Sequence, residues 1–292
     1  MFNRALIATD LSAASDRVVR SASALKAWGT TEVVLLRCLQ LPDLPVVDSG
    51  VGGDFLVRQL DEQKKLLEAA GFTVQADVRT GSPKLEIMRA AHDHRASLVV
   101  VGSHGASMAK ELLLGGVAAA VIHACTKPVL IVRTGEDMRE TGADVLRHVL
   151  FPTDFSAPAE HAERYLMRLI QAGVRRVTLL HVQDPRHIDP HRVHRLDEFN
   201  AIDANRLENV KQRVSHGPAE TITTCIRYGN PLEEITRFAR ENEVSLVVMS
   251  SQGKGFIKEL FLGSVSHHVV RHADVPVLLI PPPREHDEGE AS

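Results

Sequence analysis

Internal repetition constrains what this chain can fold into more than any other feature. The stretch ALIATDLSAASDRVVRSASAL from Ala5 lies over VLFPTDFSAPAEHAERYLMRL from Val149, 144 residues further on. RTGSPKLEIMRAAHDHRASLVVVGSHG lies over RYGNPLEEITRFARENEVSLVVMSSQG at an offset of 148, KELLLGGV lies over KELFLGSV at the same offset, and KPVLIV lies over VPVLLI. Self-similarity at a fixed period marks one structural unit used more than once. Here a unit of roughly 145 residues, the size of an ordinary domain, is used twice in a chain of 292. The expected organisation is a first domain over 1–134, a charged, glycine-containing linker over 135–146, a second domain over 147–283, and a polar tail over 284–292 with nothing to bury.

Within each copy, strand-like and helix-like stretches alternate. RALIAT and EVVLLRCL are apolar runs of strand length, FLVRQLDEQKKLLEAAG has helical spacing and stops at a glycine, and TVQADVRT alternates as a half-buried strand does. PKLEIMRAAHDHR opens with proline in a first helical turn, where a missing N–H costs little. SLVVVGS, the loop and helix of MAKELLLGGVAAAVIHAC, and PVLIVR complete the unit, and Ser12 is placed to cap the first helix with Asp16 in its first turn. The order βαβαβαβαβ, with strands apolar on both faces, predicts an α/β fold: a parallel sheet with helices on both sides and right-handed crossovers.

Composition narrows the function classes. Hydrophobic residues make up 44% and charged residues 24%, and the net charge of -3 supplies no general attraction to nucleic acid or to anionic membrane. No apolar run reaches the ~18 residues of a membrane span, and the N-terminus lacks a signal-peptide pattern. The three cysteines, Cys38, Cys125 and Cys225, form no CxxC pair, which points to free thiols in a reducing cytoplasm.

In open parallel sheets, ligands bind beyond the carboxyl ends of the strands at the switch point. Two segments meet there if strands 1 and 4 of each copy are neighbours. One is the strand-1 end, ATDLS with Asp10 and PTDFS with Asp154. The other is the glycine loop after strand 4. Unit 1 reads G-x2-G-x9-G (Gly102, Gly105, Gly115), and unit 2 reads S-x2-G-x9-G-S (Ser250, Gly253, Gly263, Ser264). Such glycines let backbone approach a phosphate, and the following helix N-terminus presents N–H groups to it. The spacing matches neither a dinucleotide fingerprint nor a Walker loop. The plainer alternatives are that the glycines only turn the chain, and that Asp10 and Asp154 only close Asx-turns onto Ser12 and Ser156.

The loop pattern, together with PTDFS, LLHV, YGNP and VPVLLIP, resembles the universal stress protein (UspA-like) family and its signature G-x2-G-x9-G-[ST], over nearly the whole chain and twice in tandem. The resemblance implies two open parallel five-stranded sheets of order 3-2-1-4-5, like the adenine nucleotide alpha-hydrolase fold. It also implies pairing through the fifth strands, here between the two halves of one chain, and allows a homodimer. It implies adenine nucleotide, ATP or AMP with or without magnesium, as ligand: the strand-1 aspartate on the ribose, a strand-2 residue by the adenine, and the glycine loop with its hydroxyls on the phosphates. Carried onto this sequence, the favoured site in unit 2 comprises Asp154, Val182, Ser250, Gly253, Gly263, Ser264, Val265 and Ser266. The weaker site in unit 1 comprises Asp10, Cys38, Gly102, Gly105, Gly115, Gly116 and Val117. Unit 1 lacks both phosphate-facing hydroxyls, having Gly116 and Ala118 where unit 2 has Ser264 and Ser266. Unit 2 has Ser250 in place of the first glycine, a Cβ that would crowd the ligand.

Other features read as structural. His187, His191 and His194 cluster, and His268 and His272 stand at i, i+4, but no third or fourth metal ligand is identifiable, so solvated histidines are expected. His123, His92 and His94 read as surface or rim residues, Trp28 as packing against the sheet, and Cys38 as a small buried hydrophobe. A catalytic reading needs a nucleophile with a base, but no histidine repeats in the glycine loops: His104 of unit 1 is matched by Gln252. The expectation is a cytoplasmic, non-enzymatic, nucleotide-binding regulatory module acting on an unidentified protein partner, with no nucleic acid and no membrane involved. A nucleotide-independent scaffold and a slow ATPase are the competitors.

Overall fold

The computed structural model describes residues 2–40, 51–104, 114–134, 144–187, 196–215, 217, 219, 221–253 and 262–283, excluding the side chains of 51–55, 187 and 196–199. The chain divides into two units, Met1–Asp144 and Val145–Ser292.

The apolar runs of unit 1 fold as strands β1 (Arg4–Thr9), β2 (Glu32–Leu39), β3 (Thr73–Thr80), β4 (Leu98–Gly102) and β5 (Val129–Val132). Between them run helices α1 (Ala13–Ser21, continued by a 3₁₀ stretch Ala22–Lys26), α2 (Val51–Ala69), α3 (Pro83–Asp93) and α4 (Gly116–Ala124). Unit 2 repeats the plan with β6 (His148–Pro152), α5 (Ala157–Gln171), β7 (Arg176–Gln183), α6 (Leu196–Val214), β8 (Thr221–Tyr228), α7 (Pro231–Glu241), β9 (Leu246–Ser250), α8 (Ser264–His272) and β10 (Val277–Ile280).

Every strand pairing within a unit is parallel. In unit 1, β1 pairs with β2 and β4, β2 with β3 and β4 with β5, which gives the order 3-2-1-4-5. In unit 2 the corresponding pairings are β6 with β7 and β9, β7 with β8 and β9 with β10. Ala5, Leu6 and Ile7 of β1 and Leu98, Val99 and Val100 of β4 are fully buried, as central strands covered on both faces require. Each such leucine, isoleucine or valine side chain contributes roughly 1.5–3 kcal/mol by leaving water, so the centre of the sheet is the stable frame. Among the described residues the edge strand β3 has a neighbour on one side only, and most of its residues are exposed.

Because β1 lies between β2 and β4, the connections leaving β1 and β4 diverge and open a crevice at their carboxyl ends. The same holds for β6 and β9. Both crevices lie where the notable sequence of each copy stands.

Candidate functional site

The strand-1 turn is built identically in both copies. In unit 2, Thr153 Oγ1 accepts from Phe155 N at 3.1 Å, and Asp154 Oδ1 accepts from Ser156 N at 3.1 Å and Ser156 Oγ at 2.6 Å. Ser156 Oγ then accepts from Ala159 N at 3.3 Å and caps α5. Unit 1 repeats this with Thr9, Leu11, Asp10, Ser12 and Ser15. The turn forces Leu11 and Phe155 to φ 63° and 59°, a left-handed conformation that non-glycine residues adopt only when their surroundings impose it. The Asx-turn is therefore real, and it also fixes a carboxylate at the mouth of each crevice.

The loop after strand 4 closes back on itself. Gly115 N donates to Ser103 O at 2.8 Å, and Gly263 N donates to Ser251 O at 2.7 Å. Gly115 and Gly263 are then the N-caps of α4 and α8 and supply no side-chain acceptor, so the first-turn N–H groups of these helices are left to other acceptors. Gly105 and the repeated Lys110-Glu111 and Lys258-Glu259 pairs lie outside the described residues.

The two copies differ inside these loops. A Cβ at Gly253 would collide with Asp154 Oδ2, so in unit 2 the loop backbone lies directly against the strand-1 carboxylate. A Cβ at Gly102 would meet Thr134 Cγ2 at 3.0 Å and Val18 Cγ2 at 3.1 Å. Unit 2 has Pro282 and Ala162 at the corresponding positions and there accepts Ser250, whose hydroxyl turns onto Gln252 O at 2.5 Å. Ser266 is buried, and its hydroxyl donates within the loop, to Ser251 O at 2.6 Å, with Gly263 O at 3.0 Å. Ser264, Gly116 and Val117 are exposed and Val265 is half-buried.

Ser103 Oγ is fully engaged, with His104 Nδ1 at 2.9 Å, Thr134 Oγ1 at 3.3 Å and Thr134 N at 3.3 Å. Its counterpart Ser251 faces a proline position that has no N–H to give. Ser251 is 4% exposed and its hydroxyl has no hydrogen-bond partner among the described residues.

At the strand-2 end, Val182 is half-buried and Cys38 buried. Burial, reinforced by the negative charge of Glu86, pushes the Cys38 thiol up to about 11 against the opposing charges of Arg37 and Arg79.

A polar cluster that sequence reasoning did not single out lies beside the Asp154 turn. His181 Nδ1 is 2.8 Å from Thr153 O, its Nε2 is 3.5 Å from Asp203 Oδ2, and its ring lies 4.5 Å from that of Phe155. Gln183 Nε2 donates to Asp203 Oδ2 at 2.8 Å, and the Arg206 guanidinium sits 5.5 Å from the Phe155 ring centre. The sequence did carry a signal: alternation along β7 puts His181 and Gln183 on one face, opposite Val182.

The remaining histidines divide. His268 and His272 stack at 4.2 Å, and burial, then the neighbouring His272, lowers the pKa of His268. His191 and His194 lie outside the described residues, as does the side chain of His187. His123 and His92 are exposed, but His94 is pinned to Asp77 at 2.8 Å and belongs to an ion-pair cluster rather than the rim. Trp28 is buried, with its ring 5.5 Å from that of Phe2. Among the described residues no group of three or more His, Cys, Asp or Glu could hold a metal ion, and no helix is long and apolar enough to cross a membrane.

Comparison with known proteins gives a consistent result. The model of the universal stress protein family matches residues 1–133 and again 146–281. The universal stress protein MJ0577 of Methanocaldococcus jannaschii is 31% identical over 153 residues, 46% of this chain and 94% of that protein. A universal stress protein of Mycolicibacterium smegmatis is 27% identical over 297 residues, 95% of this chain and 96% of its own length. Among solved structures, a universal stress protein from Archaeoglobus fulgidus superposes with a TM-score of 0.72 at 25% identity, covering 97% of this chain and 100% of the other.

Proposed function

The chain belongs to the universal stress protein family, and from that premise we propose that its second unit binds an adenine nucleotide, ATP or AMP, and acts as a cytoplasmic, non-enzymatic regulatory module. The observation that carries this reading is the approach of the Gly253 backbone to the Asp154 carboxylate at the mouth of the α8 N-terminus. A carboxylate accepts hydroxyl hydrogen bonds, as a ribose offers, and an N-terminal helical turn offers N–H donors to phosphate. Supporting this, Gly253 lies against Asp154, and Gly263, the N-cap of α8, donates to Ser251 O two residues before Gly253. Backbone amides then carry the phosphate end, because the one proton of Ser266 is engaged inside the loop. The hydroxyl that stands beside the Asp154 carboxylate, Ser156 Oγ, also caps α5 through Ala159 N, a structural use that favours binding over hydrolysis.

Calorimetric titration of ATP into the intact chain, Asp154→Ala and Asp10→Ala tests the reading. Binding that survives Asp10→Ala and is lost in Asp154→Ala is expected; no heat from the unaltered protein would favour a nucleotide-independent scaffold. Pairing of the two halves through their fifth strands, and homodimer formation, stay with this reading as proposals from the family resemblance. Cross-linking of the intact chain with peptide mapping tests both.

A further inference from the structure

We propose that His181 and Asp203 form a proton-operated latch on the Asp154 turn, so that ligand binding at unit 2 strengthens as His181 takes up a proton. The proposal rests on the nucleotide reading of unit 2 and names a regulation of that site.

A backbone carbonyl only accepts, so the 2.8 Å contact with Thr153 O assigns a proton to His181 Nδ1. Neutral His181 then turns the lone pair of Nε2 toward the Asp203 carboxylate at 3.5 Å, an unfavourable facing. A second proton at Nε2 converts it into an ion pair whose partners are both largely buried. The imidazolium then ties α6, through Asp203, to the carbonyl of Thr153, the residue before Asp154. Phe155, the residue after it, stacks on the same imidazole in its left-handed conformation. Both neighbours of Asp154 are thus held by one titratable ring. Gln183 Oε1, buried beside this cluster on β7, has no hydrogen-bond partner among the described residues.

Among the described residues the surrounding charges are few. From α6 come Asp203 and Arg206, the latter 3.4 Å from Asp203 Oδ1. From the turn comes Asp154, and after β7 comes Asp184, bound by Arg186. From α5 come Glu160, which is exposed, and Glu163, which is buried and bound by Arg213. In β8, Ile226 stands in register with His181 and is uncharged. Unit 1 is an internal control: it has Arg37, Leu39 and Leu11 where unit 2 has His181, Gln183 and Phe155, and neutral Gln63 bonds Thr9 Oγ1 at 2.8 Å.

NMR of the ligand-free full chain, with ATP calorimetry from about pH 5.5 to 8.5, tests the latch. We expect Nδ1 to stay protonated, Nε2 to titrate, and the Phe155 and Ser156 amide signals to move along the same curve. Asp203→Asn lowers the midpoint by about one unit. Once the ionisation of the ATP terminal phosphate is allowed for, ATP affinity falls roughly tenfold as pH rises through the midpoint, and His181→Gln, which can still donate to Thr153 O, gives a flat profile. A His181 that does not titrate, amides that do not follow it, or ATP affinity independent of pH in the unaltered chain would each overturn the proposal. Coupled titration without ATP binding at any pH would uphold the latch and end the nucleotide reading, so the two failures remain distinct.

Discussion

The Gly253 backbone lies against the Asp154 carboxylate so closely that even one Cβ would collide with Oδ2. Oδ1 of the same carboxylate is held by the backbone and hydroxyl of Ser156, so Asp154 cannot swing aside without breaking its turn. Gly253→Ala therefore displaces either the loop or the carboxylate. ATP affinity at unit 2 should fall at least about tenfold, roughly 1.4 kcal/mol, with a thermal midpoint within a few degrees of the unaltered chain. Calorimetry and a melting curve on one sample check both parts; unchanged affinity would count against the site.

The fold was legible because the repeat shows each element twice, and β-length apolar runs between helix-length amphipathic ones leave few topologies. The site was legible only as far as backbone chemistry reaches. Gly253 and Asp154 were visible as types, but their contact depends on a turn with φ 59° at Phe155, which no glycine announces. The hydroxyl of Ser266 reads as a phosphate ligand by position, yet it donates to Ser251 O, because the direction of a hydroxyl is set by packing and not by spacing. His181 stayed hidden inside an apolar strand for the same reason: its partners come from α6 and the β6 turn, remote in sequence.

Ser266 Oγ closes the unit 2 loop from within, and unit 1 keeps the same backbone closure with Ala118. Alanine therefore fits the space, and Ser266→Ala removes a hydrogen bond without overpacking. A loss of about 0.5–1.5 kcal/mol in urea denaturation is expected. The backbone bond from Gly263 to Ser251 O remains, so ATP affinity should drop far less than in Gly253→Ala. A larger drop would assign the hydroxyl to the ligand.

Thiol labelling separates the cysteines. Cys38 and Cys125 are buried and Cys225 is half-exposed. Burial first, and Glu86 next, push Cys38 up to about 11, so at pH about 8 almost none of it is thiolate. A chromogenic disulfide reagent added to the native protein should react with Cys225 first, and with Cys38 and Cys125 only as the chain unfolds. Fast native labelling of Cys38, located by peptide mapping, would contradict this burial.

His148 gives the fold a pH dependence of definite sign. It is buried, with Nε2 2.9 Å from Thr178 Oγ1 and Nδ1 3.0 Å from Asn242 O and 2.9 Å from Arg176 Nη2. Burial lowers its pKa, the bond to Asn242 O opposes this, and the charges of Arg176 and Arg147 add to the lowering. The unfolded chain, with an ordinary histidine near pH 6.5, therefore takes up the proton first as pH falls. The stabilisation from neutral His148 is complete above about pH 6.5 and is lost as pH drops from there toward the folded value, by at most about 1.4 kcal/mol per pH unit. His268 is shifted in the same direction and adds to the slope. Urea unfolding at several pH values between about 5 and 8 should show this decline, and His148→Gln should flatten it while lowering stability at neutral pH through the bonds it loses. Equal slopes in the two proteins would mean that His148 binds its proton equally well folded and unfolded, and that another group carries the dependence.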